Sequence, residues 1–230
     1  MWFSKKNART FEIHPDIISD IFFVILICAL AGARILYVII NFSFYRSNLF
    51  EIFKIWNGGL VFFGGFIAAF AGCVFFVRRR KLDFWKTADI IAPGLALGHA
   101  IGRIGCFFAG CCYGRECSLP FAVRFTSPES LAPTGVWLHP TQIYSVISNL
   151  IIFGLLVIIQ KYKKFNGMVF LIYVMVYAVF RSVIECFRGD FRGDFIFSFL
   201  SLSQGIGIIA FFICLIIFVI RFKPENHDHH

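Results

Sequence analysis

Three arginines stand inside runs of apolar residues: Arg34, Arg103 and Arg181. A guanidinium deep in a hydrophobic stretch is costly unless it meets acceptors or a negative charge, so each is by default a functional candidate. The one acid similarly placed is Glu185, four residues beyond Arg181. One carboxylate cannot balance three cations, which points to an anionic ligand, and phospholipid phosphate is the most abundant anion in such a setting. The competing structural reading is an Arg181–Glu185 pair that ties two helices together. Tyr177, Arg181 and Glu185 are spaced i, i+4, i+8, and continued helix would return Arg188 to nearly the same face.

Other reactive groups lie in two further strings. In H-P-T-Q-I-Y, residues 139–144, His139 is a candidate catalytic or headgroup contact, the competing reading being a helix-capping or interfacial residue, with Gln142 and Tyr144 in the same layer. In G-H-A-I-G-R-I-G-C-F-F-A-G-C-C-Y-G, residues 98–114, Gly102 and Gly105 bracket Arg103 and Gly114 closes the string. Gly64 and Gly65 end the run N-G-G-L-V-F-F-G-G at 57–65. Such glycines permit close helix packing or the approach of a lipid headgroup. Cys106, Cys111, Cys112 and Cys117 cluster in sequence, and disulfides are the first reading. Their C-x4-C-C-x4-C spacing is not a standard zinc pattern, so no metal is expected, nor any cofactor. Cys28, Cys73, Cys186 and Cys214 read as apolar filling. The chain contains neither H-E-x-x-H nor G-x-S-x-G, which removes the common metalloprotease and serine-hydrolase motifs.

The elements that position these groups follow from composition. Of 230 residues, 59% are hydrophobic, 32 are Phe and only 15% are charged, more apolar surface than a soluble domain can use. A spanning helix needs about 20 mostly apolar residues, and six such runs occur near 19–40, 59–77, 88–108, 141–159, 167–187 and 195–220. The expected fold is an all-α, polytopic membrane helix bundle forming a single domain over 1–230. Nothing resembles a cleavable signal peptide, and the His-rich end at 226–230 is too short to fold alone.

The net charge of +9 reads as an orientation signal, not a nucleic-acid footprint. Thirteen of the 22 basic residues fall on one side, beginning with Lys5, Lys6 and Arg9, against six on the other. This puts both termini in the cytoplasm. At about 1.5 Å per residue, Arg34, Arg103 and Arg181 each lie roughly 21–22 Å from the inner end of their helix, in the outer third of a layer about 30 Å thick.

Taken together, G-R-I-G at 102–105, H-P-T-Q-I-Y at 139–144 and Y-A-V-F-R-S-V-I-E-C-F-R at 177–188 resemble the phosphatidylglycerol:prolipoprotein diacylglyceryl transferase family. The resemblance runs in order from about residue 20 to 220 and includes A-G-A-R-I-L-Y-V at 31–38 and the glycine pairs at 57–65. It implies a multi-pass enzyme of the bacterial cytoplasmic (inner) membrane that takes phosphatidylglycerol and prolipoproteins, the latter through their lipobox. The diacylglyceryl group passes to the lipobox cysteine thiol, giving a thioether and glycerol phosphate.

On that resemblance Arg103 matches the lipid-binding arginine, and Arg181 with Tyr177 the second basic site. Arg34, Gln142, Tyr144, Gly64, Gly65, Gly102 and Gly114 are further expected lipid contacts. Arg103, Arg181, His139 and Glu185 are the expected catalytic groups, with His139 preferred to Glu185 as base. Three positions depart from the family: Phe63 stands where many members have His, and Cys106 and Cys111 where others have Asn and Glu. The family's first span, of seven, is not recognisable here, which fits the inside N-terminus. The alternative functions are a noncatalytic lipid-binding paralogue and a small anion transporter.

Overall fold

The structure, a computed structural model, describes residues 4, 13–46, 49–54, 56, 58–190 and 201–222. The expected start of the sixth span at 195–200, Lys5, Lys6, Arg9 and Asn57, and the 226–230 tail lie outside them. Six helices are long and apolar enough to cross a membrane: α1 Pro15–Ile40, α2 Phe62–Arg79, α3 Phe84–Phe108, α4 Thr141–Lys161, α5 Met168–Glu185 and α6 Leu202–Phe222. Ile27, Phe66, Ile151 and Ile216 are each more than half exposed, which suits a lipid surround and no aqueous one. The chain divides after Ile90, within α3, into two compact units, each described by itself.

In the first unit α1 and α2 pack backbone to backbone. A Cβ on Gly32 would lie 2.3 Å from the Ala68 Cβ and 2.5 Å from the Gly64 carbonyl oxygen, and one on Gly64 would lie 2.4 Å from the Gly32 oxygen. Only glycine at both positions allows this crossing. The α2 helix starts at Phe62, later than the apolar run predicts, because Gly58 and Gly59 hold φ of 80° and 76°. The chain then straightens, and the Val61 N–H donates to the Ala33 carbonyl at 3.1 Å.

In the second unit Ala92 and Ala96 of α3 meet Ile152 and Leu156 of α4 and Val169 of α5 in a fully buried cluster. Small residues on α3 opposite branched ones on α4 keep the three helices close. α6 packs against α5. Between α3 and α4 the chain makes a two-stranded antiparallel ribbon, β1 Val123–Arg124 with β2 Trp137–Leu138, in register Val123↔Leu138. This connection is stitched to both neighbouring helix ends. The Gly114 N–H donates to the His139 carbonyl, the Arg115 N–H to Phe187 and the Gly189 N–H to Tyr113, at 2.9–3.2 Å.

α5 stops at Glu185, not near 187 as its hydropathy predicts. Arg188 therefore leaves the helical register that would have returned it to the face of Tyr177. It is buried, bridged in β fashion to Gly114, and bound to Asp190 through Nε and Nη2 at 2.8 and 2.6 Å.

Candidate active site

One face of α4 carries Thr141, Gln142, Ser145, Ser148 and Asn149, all buried. Their spacing of one, three and four residues keeps them on one side of the helix. Thr141 Oγ1 and Gln142 Nε2 donate to the carbonyls of Cys112 and Cys111 at 2.7 and 2.8 Å, fixing the cysteine loop. Farther along, Ser148 Oγ and Asn149 Nδ2 both donate to the Ser145 carbonyl, at 3.0 and 2.7 Å. Asn149 Oδ1 and Gln142 Oε1 are buried acceptors without a donor among the described residues.

This polar ladder and one face of α5 form a small cleft lined by Arg103, Ser145, Ser148, Asn149, Tyr177, Phe180, Arg181 and Ile184. Its two arginines are held differently. Arg181 Nη1 donates to the Glu185 carboxylate one turn away, and the two side chains are 13% and 10% exposed. Ser203 of α6 completes the set, accepting from Arg181 Nη2 at 3.3 Å and donating to Glu185 Oε1 at 2.8 Å. Arg188 Nε lies 4.0 Å from the same carboxylate. Arg103 makes no hydrogen bond or ion pair among the described residues. The cleft thus carries one guanidinium already balanced and one that is not, a charge pattern that suits a singly charged anion.

His99 lies one turn before Arg103, with its ring 5.1 Å from that of Tyr177. Both it and the serines of α4 escape a reading confined to charges. The signal for the serines was present, since Thr141, Gln142, Ser145, Ser148 and Asn149 make a stripe of helical period in an otherwise apolar run. Ser203, the third partner of the Arg181–Glu185 pair, had no local signal at all.

The remaining candidates lie elsewhere. His139 does not line the cleft; its Nδ1 is 3.0 Å from the Tyr144 hydroxyl, and its ring packs 5.3 Å from that of Phe187. Gly114 lets that segment close up, since a Cβ there would sit 2.5 Å from the His139 carbonyl oxygen. A Cβ on Gly102 would meet no atom within 4 Å, so Gly102 serves no packing contact.

Arg34, expected as a lipid contact, is 6% exposed and spends all five N–H groups on backbone carbonyls. Nε donates to Ile52 at 2.8 Å, Nη1 to Gly58 and Gly59 at 2.7 and 3.2 Å, and Nη2 to Glu51 and Lys54 at 2.7 and 3.3 Å. It organises the segment between α1 and α2, where it also lies over the ring of Tyr45. Gly64 and Gly65, likewise expected to meet lipid, carry the α1–α2 crossing.

All eight cysteines are thiols. The sulfurs of Cys106, Cys111 and Cys112 lie within 4.8 Å of one another, and Cys117 is not of this group. Burial pushes the Cys111 thiol up to about 12, and the neighbouring Cys112 and Cys106 sulfurs add to the rise. Burial pulls Arg188 down, but the Asp190 carboxylate and the Cys112 sulfur outweigh it and hold the guanidinium above its ordinary value.

The model of the family described as prolipoprotein diacylglyceryl transferase matches residues 1–220. The chain belongs to that family. Proteins named phosphatidylglycerol–prolipoprotein diacylglyceryl transferase are similar to it over most of their length. That of Clostridium tetani is 36% identical over 222 residues, covering 96% of this chain and 87% of the relative. That of Finegoldia magna is 37% identical over 221 residues, with 96% and 84% covered. That of Listeria welshimeri is 35% identical over 218 residues, with 90% and 78% covered. Prolipoprotein diacylglyceryl transferases are enzymes, and these names favour neither the noncatalytic paralogue nor the anion transporter.

Proposed function

We propose that this chain transfers the diacylglyceryl group of phosphatidylglycerol to the thiol of a lipobox cysteine in bacterial prolipoproteins, from the outer leaflet of the cytoplasmic membrane. The observation that carries this reading is the unbalanced Arg103 in a cleft whose other arginine is already paired. The lipid phosphodiester supplies one negative charge and acceptor oxygens that match a guanidinium. The attacking sulfur forms a C–S bond to the glyceryl carbon while the C–O bond to phosphate breaks, and the electron pair leaves with glycerol phosphate. Charge grows on that oxygen in the transition state, so Arg103 is more strongly engaged there than in the bound lipid.

Arg181 is the second donor, held in place by Glu185 and Ser203. With Oε2 facing Arg181 and Oε1 accepting from Ser203, Glu185 is the orienting group and not the base. The thiol proton goes to an imidazole. His139, with Nδ1 against Tyr144 and Nε2 without a partner among the described residues, is the first candidate, and His99 beside Tyr177 is the second.

The test incubates the purified chain with phosphatidylglycerol and a lipobox peptide and seeks a diacylglyceryl adduct on the peptide cysteine by mass spectrometry. We expect an adduct that is lost with Arg103→Gln. A well-folded chain that yields none would end this reading.

A further inference from the structure

The transfer reaction assigns no role to the thiols of Cys106, Cys111 and Cys112, of which Cys111 Sγ donates to the Cys106 carbonyl at 3.7 Å. They come together through an unusual backbone. Gly110 holds φ of 69° and Cys112, an L residue with a Cβ, holds 63°. This left-handed conformation costs a non-glycine residue roughly 1 kcal/mol, and Asn or Gly would take it more easily. With cysteine there, its sulfur turns back toward those of Cys106 and Cys111, all within 4.8 Å.

The loop is held from behind by Thr141 and Gln142, which engage the carbonyls of Cys112 and Cys111. The three sulfurs are partly buried, neither sealed in a core nor fully open. Arg188, itself bound to Asp190, lies against the Cys112 sulfur.

Three thiols converging on one point are the donor set of a soft metal ion. Zinc bonded to sulfur at about 2.3 Å requires sulfurs about 3.8 Å apart in a tetrahedron, so these need approach by no more than about 1 Å, within reach of χ1 adjustments. Three thiolates on Zn²⁺ leave a net charge of −1, beside the Arg188–Asp190 pair.

We propose that Cys106, Cys111 and Cys112 bind one zinc ion through three thiolates, leaving a fourth position open to an exogenous thiol. Each cysteine loses its proton to solvent as its Zn–S bond forms. A thiol entering the fourth position displaces water and gives up its proton in turn, because a coordinated thiol is held as thiolate. Cys106 lies three residues beyond Arg103 on α3, about 4.5 Å along the helix axis, and Gln142 stands in the same relation to Ser145 on α4. The metal therefore sits one turn from the cleft. That the entering thiol is the prolipoprotein's cysteine rests on the transferase reading; the metal site does not.

The reduced chain, purified without oxygen in detergent, is titrated with Co²⁺ as a spectroscopic stand-in and with Zn²⁺ in competition against a chromogenic chelator. We expect one equivalent bound, sulfur-to-cobalt charge-transfer bands in the near ultraviolet and the strong visible bands of a tetrahedral ion. Cys106→Ser, Cys111→Ser and Cys112→Ser each weaken Zn²⁺ binding on the order of 100-fold or more, whereas Cys117→Ser and Cys186→Ser leave it unchanged. Adding N-acetylcysteine methyl ester shifts the cobalt bands. The site is refuted if folded, reduced chain shows no charge-transfer bands, or if they persist in all three serine variants. Bands that ignore the added thiol overturn the open fourth position. None of these readouts uses diacylglyceryl transfer, so a failed transferase assay beside intact metal binding would count against the reaction alone.

Discussion

Replacing Arg103 and Arg181 by glutamine separates a group held ready for a ligand from one that also holds the protein together. Arg103 has no partner among the described residues, so Arg103→Gln orphans no acceptor and its stability change stays within about 0.5 kcal/mol. Arg181 is bonded to Glu185, whose side chain is 10% exposed. Removing the guanidinium leaves a carboxylate with Ser203 and the more distant Arg188. Breaking a buried pair this way costs about 3–5 kcal/mol, and Arg188 at 4.0 Å puts the expectation at the lower end, near 3 kcal/mol.

For catalysis the order reverses in clarity. Each loss of a donor to the developing phosphate charge removes about 10²–10³ in kcat, but only Arg103→Gln does so in a chain of unchanged stability. The assay pairs detergent-solubilised thermal unfolding with single-turnover adduct formation at saturating lipid. If Arg103→Gln unfolds as early as Arg181→Gln, Arg103 is a structural residue and the cleft has no spare charge. If it retains full turnover, the cleft is not where the phosphate leaves.

Three further outcomes follow from the same geometry. Arg34→Leu deprives five backbone carbonyls of their donor, so amide hydrogen exchange should accelerate at least tenfold at residues 49–54 and 58–59; protection equal to that of the unaltered chain would show that these residues are ordered by something else. Gly64→Val drives branched carbon into the Gly32 oxygen and the Leu36 Cβ, and should cost more than about 3 kcal/mol by overpacking, read as lost thermal stability with Gly102→Ala as the tolerated control. His139→Gln and His99→Gln divide the proton-transfer role: the true acceptor should lose about 10²-fold or more in rate and the other less than tenfold, and equal small losses would remove both.

The six spans were legible because lipid imposes a coarse rule, a long apolar run per crossing, and Phe84–Phe108 and Thr141–Lys161 fall within a few residues of their hydropathy. Their ends were less so. The start of α2 depends on φ values at Gly58 and Gly59, and the end of α5 on pairing of Arg188 with Gly114, neither of which hydropathy registers. Arg103, Tyr177 and Arg181 could be singled out because a charge or hydroxyl in an apolar helix is conspicuous, and the structure does gather them. The same prominence misled at Arg34, since a lone arginine looks alike in sequence whether it awaits an anion or is consumed by carbonyls 17–25 residues away. The cysteine cluster was visible as residues but not as geometry, because its convergence rests on one left-handed residue, Cys112.

Asn149 lines the same small cleft as Arg103 and Arg181, and its Oδ1 is a buried oxygen that can only accept. Under the proposed reading this is a rule of selectivity for the far end of the lipid headgroup. A terminal hydroxyl satisfies the oxygen and adds no charge. A trimethylammonium has no proton to give, and leaving the acceptor unmet costs about 1–3 kcal/mol. A primary ammonium can donate but brings a third positive charge toward Arg103 and Arg181. Of the common headgroup chemistries, a neutral polyol on an anionic phosphate meets both demands.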